Sequence, residues 1–104
     1  MSDVVVRDNP EQRRWEARLG EDPDAPVAGF AAYVREGDRI RITHTVVEPE
    51  HEGAGVGSAL ARAALDGARS AGLRVVPQCP FVAAWIERHP AYADLVDGPM
   101  PHEA

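Results

Sequence analysis

The sequence contains no lysine, only one cysteine and no long apolar segment. All 11 basic residues are arginines, for which the base composition of the genome is the simplest explanation. One cysteine excludes an internal disulfide framework and a zinc site built from several cysteines, and we predict no metal site. No apolar run approaches the roughly 18 residues of a membrane span, and the first residues do not resemble a signal peptide. We therefore expect a cytoplasmic protein without a membrane partner.

Length and charge restrict the architecture and the partners further. The chain has 104 residues and a formal net charge of -6. Because an acidic surface is repelled by a phosphate backbone, we predict no nucleic-acid partner. The length fits one domain, which we assign to residues 1–104, with a core of about residues 3–96 and a polar tail at residues 97–104.

The first half of the chain predicts four β-strands. Their β-branched composition or period-two alternation places them at residues 4–8, 13–19, 27–35 and 39–47. Gly37-Asp38 predicts a hairpin turn between the last two, and the short links predict an antiparallel meander. In the fourth strand, alternation predicts one shared face, which carries Ile40, Ile42, His44 and Val46.

The second half of the chain predicts two helices around one strand. Apolar residues recur at helical spacing from Val56 to the glycine-containing pair Ala71-Gly72, where the helix should end. Residues 73–77 read as a buried strand, and Pro80 suits the first position of a helix that runs through His89. A short last turn follows at residues 89–96. These elements predict an α+β fold: antiparallel strands, a parallel βαβ crossover and a C-terminal helix.

Three glycines precede the first helix in the stretch EGAGVGSAL, residues 52–60. The first N–H groups of a helix lack partners, and the helix dipole is positive there. Glycines leave these groups open to an anion such as a diphosphate. The alternative is a flexible turn with helix-capping glycines. The spacing matches neither the Walker loop nor the G-x-G-x-x-G fingerprint, so the residues alone predict only an anion, and a nucleotide-like ligand is one possibility.

The segment HTVVEPEHEGAGVGSALARAALDGARSAGLRVVPQCPFVAAWIERHP, residues 44–90, resembles the small single-domain branch of the GNAT superfamily of N-acetyltransferases. The resemblance implies a minimal GNAT-like fold and an acetyl group moved from acetyl-CoA to an amine of a small molecule or a protein. It implies a pantetheine arm along the fourth strand near Val46 and Val47. It also implies that backbone amides hold the pyrophosphate at Gly53, Ala54, Gly55, Val56, Gly57 and Ser58.

Two features depart from the superfamily pattern. Glu52 stands where the superfamily usually has glutamine or arginine, which brings a negative side chain near a diphosphate. The chain also lacks room for the helices that larger members insert between strands one and two, so the acceptor side should be open and the acceptor cannot be named. The candidate site residues outside the glycine loop lie on the fourth strand and at the second helix.

Cys79 and His44 are the candidate catalytic residues, and each has a plain structural alternative. Cys79 should lie at the start of the second helix, where the dipole favours a thiolate, but a small buried residue is an equal interpretation. His44 could serve as a general base, although a lone histidine on an apolar face is more often a core residue. Phe81 and Trp85 recur at i, i+4, which indicates core packing first and a wall for pantetheine second.

Two functions without catalysis remain open from the sequence. The domain could bind CoA or acetyl-CoA without turnover, or it could be an interaction domain with no ligand. The oligomeric state cannot be derived from the residues.

Overall fold

Five strands form one sheet in the computed structural model, which describes residues 4–53 and 55–97. The sheet order is β1-β2-β3-β4-β5, antiparallel from β1 to β4 and parallel between β4 and β5. The predicted α+β fold is therefore confirmed. The strands are β1 Val4–Asn9, β2 Arg14–Leu19, β3 Gly29–Glu36, β4 Arg39–Val47 and β5 Arg74–Pro77. The helices are α1 Val56–Ser70 and α2 Pro80–Arg88, and 3₁₀ turns lie at Pro49–His51 and Pro90–Leu95.

Element boundaries differ from the prediction by one or two residues. Arg13 has a φ of 57°, a left-handed conformation that ends the β1–β2 turn, so β2 begins at Arg14. The β3–β4 turn at Gly37-Asp38 is as predicted, with a φ of 63° at Gly37. No helix in the described ranges is long and apolar enough to cross a membrane.

Helix α1 packs on the sheet through a stripe of mostly small residues. Its buried positions are Val56, Leu60, Ala61, Ala64, Leu65 and Ala68. Gly67 of this helix has a packing reason, because a Cβ on it would lie 2.5 Å from Cζ2 and 2.6 Å from Cη2 of Trp15. Glycine at this position lowers the stability of the helix, but its missing side chain lets the indole ring lie against the helix.

Helix α2 packs beside α1 and completes the core. Trp85 and Ile86 are buried in the same cluster as Leu65 of α1 and Val75 of β5, and the Arg62 guanidinium of α1 lies 5.5 Å from the centre of the Trp85 ring. The Asp97 N–H donates to the Val75 carbonyl over 2.8 Å, so the first residue of the predicted tail joins the outer edge of β5. The rest of that tail, residues 98–104, lies outside the described residues.

A β-bulge in β4 corrects the prediction that Ile40, Ile42, His44 and Val46 share a face. Tyr33 pairs with Ile42 and Ala32 pairs with His44, which leaves Thr43 as an extra residue. The extra residue reverses the alternation. Ile40 and Ile42 point to the side that α1 covers, here called the helix face, whereas His44 and Val46 point to the opposite side, the open face.

Candidate active site

The strands β4 and β5 separate at one end of the sheet. Their parallel ladder ends at the pair Ile42 and Pro77, and the next amide of that segment, the Gln78 N–H, turns away from β4 to donate to the Val76 carbonyl. The Cys79 N–H still donates to the Ile42 carbonyl over 2.9 Å. Beyond that bond, β4 continues to Val47 with no partner strand on this side in the described chain. We call this opening the splay.

Backbone amides of β4 point into the splay. The Glu48 N–H donates to the Ala28 carbonyl over 2.9 Å, on the β3 side. Amides alternate in direction along a strand, so those of Val46 and His44 also point to β3. The amides of Thr45 and Val47 therefore point the other way, into the splay, where they are available to a ligand.

Cys79 lies at the apex of the splay, on the helix face. It is the N-cap residue of α2, as predicted, and only 4% of its surface is exposed. Its Sγ lies 3.5 Å from the Thr45 Oγ1. The thiol thus contacts the first residue whose amide faces the opening.

His44 precedes Thr45 in β4, and its side chain lies on the open face. Its Nδ1 is 3.2 Å from the Thr43 Oγ1, and the Thr43 hydroxyl also reaches the Ala32 carbonyl at 3.4 Å. The hydroxyl has one proton. If that proton goes to the carbonyl, the oxygen accepts from Nδ1–H and leaves the lone pair of the imidazole at Nε2. The Phe30 ring meets the imidazole edge-on, with centroids 5.9 Å apart.

The glycine loop leads directly into α1. Gly53 and Gly55 have φ values of 87° and 83°, and a Cβ at either would meet nothing within 4 Å. The first intrahelical bond runs from the Ala59 N–H to the Gly55 carbonyl, and no side chain caps the helix. Among the described residues, the amides of Val56, Gly57 and Ser58 thus have no acceptor. Ala54, also predicted for this loop, lies outside the described residues.

A cleft of about 280 Å³ joins the glycine loop to the end of β4. Phe81 closes one side, because its Cζ would lie 2.8 Å from a Cβ on Gly57, and its side chain stays 39% exposed. The lining residues are Val47, His51, Glu52, Gly53, Gly55, Val56, Gly57, Ser58 and Phe81. Seven of the sequence candidates are therefore brought together in one cleft.

A sequence model described as GCN5-related N-acetyl-transferase matches residues 14–95 of the chain. The chain belongs to this GNAT family. The family match confirms the resemblance that residues 44–90 suggested, and it makes the protein an N-acetyltransferase by family. A comparison with curated proteins gives no match.

The fold agrees with a solved GNAT relative. The solution NMR structure of a GCN5-like protein from Staphylococcus aureus, named as a candidate N-acetyltransferase, has a TM-score of 0.67 against this chain. The two sequences are 26% identical, and the match covers 99% of this chain and 97% of the relative.

Two residues in the cleft of this GNAT domain were not among the sequence candidates for the site. His51 is half-buried and its Nε2 lies 3.6 Å from the Glu50 carboxylate. Glu52 is exposed beside it. The superfamily pattern had already placed Glu52 near the diphosphate, whereas no motif includes His51, which only its position between β4 and the glycine loop could have indicated.

Four of the described sequence candidates do not line the cleft: Cys79 and His44, whose positions are given above, and Trp85 and Val46. Trp85 is 1% exposed and its ring stacks on His89 with centroids 3.8 Å apart, so it is a core residue and does not line the cleft. Val46 is 39% exposed on the open face, whereas the neighbouring Val47 lines the cleft. The bulge at Thr43 is the reason for the position of Val46, because it determines which side chains of β4 face α1.

The open face carries a buried carboxylate that the alternation of β2 did not reveal. Glu16 accepts hydrogen bonds from Asn9, from Arg14 Nε and from Arg18 Nη2, and its side chain is 8% exposed. Burial by itself raises the pKa of the Glu16 carboxyl. The hydrogen bonds from Arg14, Asn9 and Arg18 outweigh burial, so the pKa lies below its ordinary value.

Proposed function

We propose that this GNAT domain transfers the acetyl group of acetyl-CoA directly to an amine within a ternary complex. One observation carries the proposal: a single cleft connects the unpaired amides at the start of α1 with Val47, the end of β4 that has no partner strand on the splay side. The first set suits a diphosphate and the second suits the amide-containing pantetheine arm. The residues present therefore fit acetyl-CoA chemically.

The amides at the start of α1 would bind the diphosphate. Glycine at positions 53 and 55 keeps the approach free of side chains. Because the chain has no lysine and Glu52 lines the cleft, the backbone has to supply most of the attraction. His51, when protonated, would be a cationic side chain in the lining and would offset the Glu52 carboxylate.

The strand amides would hold and polarise the donor. The Val47 N–H is placed for the pantetheine arm, and the Thr45 N–H lies nearer to the apex, where the thioester carbonyl would accept from it. A hydrogen bond to that carbonyl stabilises the negative charge that develops on its oxygen during attack. Cys79, in contact with Thr45, lies at that apex.

The acceptor would arrive on the open face, where His44 lies. The amine nitrogen attacks the carbonyl carbon, the carbon–sulfur bond breaks, and its electron pair leaves on the sulfur of CoA. The proton lost by the amine passes to the Nε2 of His44, whose lone pair is free in the tautomer in which Nδ1–H donates to the Thr43 hydroxyl. Water then takes the proton from the imidazole.

Direct transfer is preferred over an acetyl-Cys79 intermediate. The donor is already a thioester, so a second thioester on the enzyme would not make the acetyl group more reactive. Holding donor and amine together lowers the barrier through proximity without a covalent step.

We keep a cytoplasmic location and a single domain over residues 1–104 as predictions that accompany this function.

Two measurements test the proposal. Isothermal titration should detect acetyl-CoA binding, and incubation with a panel of amines should release free CoA together with acetylated product. Binding without turnover on any amine would instead support a CoA-binding module. Absence of binding would contradict the acetyl-CoA site and support an interaction domain.

A further inference from the structure

The open face of the sheet is rich in arginine although the whole chain is acidic. Cross-strand partners share a face, and following the pairs from β1 to β5 places six arginines but only two glutamates, Glu16 and Glu36, on this side of the strands. The arginines are Arg7, Arg14, Arg18, Arg39, Arg41 and Arg74. An acidic protein thus presents a cationic surface where the acceptor would arrive.

The two arginines around Glu16 are only partly neutralised. Glu16 is shared by two guanidiniums, with Arg14 Nε at 2.8 Å and Arg18 Nη2 at 3.2 Å. One carboxylate between two guanidiniums leaves one positive charge in excess. Charges withdrawn from water are costly unless they are paired, so this cluster favours a further anion.

Arg14 is the guanidinium that is placed to receive that anion. Its Nε is occupied by Glu16, and its Cζ lies 4.5 Å from the centre of the Phe30 ring. Its Nη atoms have no hydrogen-bond partner in the part of the chain that the structure describes, and its side chain is 28% exposed. By contrast, Arg18 also donates from its Nε to the Ala25 carbonyl and is 16% exposed.

Arg14 and His44 lie in one row across the sheet. Arg14 pairs with Ala32, which pairs with His44, so their backbones are separated by two strand spacings, or about 10 Å. Phe30 contacts both side chains. A short molecule could therefore reach from the guanidinium to the imidazole across an aromatic ring.

We propose that the acceptor is an amine that also carries a carboxylate, with the carboxylate bound by Arg14 and the amine at His44. This inference rests on the proposed function, because it names the acceptor class for the same reaction. A guanidinium binds a carboxylate through charge-assisted hydrogen bonds, and Glu16 and Phe30 hold this one in place before binding.

Matched acceptors test the proposal. The chain should acetylate γ-aminobutyrate with a kcat/KM at least about tenfold above that of n-butylamine, which has a methyl group in place of the carboxylate. Butyrate, which lacks the amine, should inhibit in competition with the amine. Equal kcat/KM values for the two amines would overturn the proposal.

Variants at Arg14 separate recognition from stability. Arg14→Gln should lose the preference for γ-aminobutyrate over n-butylamine through a higher KM for γ-aminobutyrate, and Arg14→Lys should recover part of that preference. Arg39→Gln is the control, because it removes the same charge from the same face at the far end of β4. A preference that survives Arg14→Gln, or is lost equally in Arg39→Gln, would refute the assignment.

A binding measurement keeps the inference testable if Arg14→Gln fails to fold or no amine turns over. With CoA present, butyrate should shift the NMR signal of the Arg14 Nε–H in the unaltered protein, and n-butylamine should not. A protein that binds acetyl-CoA but shows no such shift would contradict the acceptor class and leave the donor site intact. A protein that binds butyrate at Arg14 but not acetyl-CoA would contradict the proposed function alone.

Discussion

Replacing Gly55 by aspartate is a sharp test of the glycine loop. A Cβ at this position meets nothing within 4 Å, so the substitution creates no clash. The φ of 83° costs a residue with a side chain about 1–2 kcal/mol, and a carboxylate at a helix N-terminus returns about 0.3–1 kcal/mol. We therefore expect a loss of about 2 kcal/mol or less in the free energy of unfolding.

The effect on acetyl-CoA binding should be larger. A unit charge about 5 Å from the two charges of a diphosphate costs about 2 kcal/mol in water and about 7 kcal/mol at an effective dielectric constant of about 20. Even the lower value weakens binding more than tenfold. Isothermal titration measures the affinity, and thermal unfolding shows whether the fold is retained.

Gly20→Asp is the matched control for this experiment. Gly20 has a φ of 86°, its Cβ would also meet nothing within 4 Å, and it lies in the exposed turn after β2, outside the cleft. It therefore repeats the backbone strain and the charge change away from the site. If Gly55→Asp bound acetyl-CoA as tightly as the parent, or if Gly20→Asp lost affinity equally, the phosphate assignment would be wrong.

Three further predictions concern the core, the thiol and the carboxylate of the open face. Gly67→Ala should lower the free energy of unfolding in chemical denaturation by up to about 2 kcal/mol, because overpacking against Trp15 costs about 1–3 kcal/mol and alanine returns only about 1; a more stable variant would contradict this packing. Cys79→Ala should reduce turnover about tenfold or less, and intact-mass spectra after acetyl-CoA treatment should show label at most on the N-terminal amine and Cys79, since the chain has no lysine; a loss of thousands-fold with a trapped acetyl-Cys79 would make the thiol the nucleophile. The lowered pKa of Glu16 contributes stability above its unfolded value of about 4.3, and this stability is lost as the pH falls through the folded value. In urea unfolding at a series of acidic pH values, the free energy of unfolding should therefore depend less steeply on pH in Glu16→Gln. An unchanged slope would exclude Glu16 as a source of the pH dependence.

Local patterns predicted the elements and the main cleft. The change from period two to helical spacing near Val56 placed α1, and the glycines at positions 53, 55 and 57 indicated the loop and first helical turn that line the cleft. These features depend on neighbouring residues only. The backbone conformation of α1 and of the glycine loop follows from the conformational preferences of their own residues, so the sequence was sufficient to predict both.

Features that depend on pairing between distant segments were not predictable. The pattern of β4 continues through His44 and Val46 without interruption, and the bulge at Thr43 arises from its register with β3. Glu16 alternates with arginines as a solvated strand face would, and only the folded sheet shows that the two arginines bury it. Trp85 shares helical spacing with Phe81, but contact with α1 draws its ring into the core.

The end of the parallel ladder at Pro77 has a consequence for the order of events in the proposed reaction. The cleft reaches the diverging strands from the side of the glycine loop and α1. In the proposed reaction the amine would approach the same opening from the side of His44. Neither reactant would have to leave before the other enters. Product inhibition should reflect this, with CoA competing against acetyl-CoA but not against the amine, and with initial-rate lines that intersect instead of running parallel.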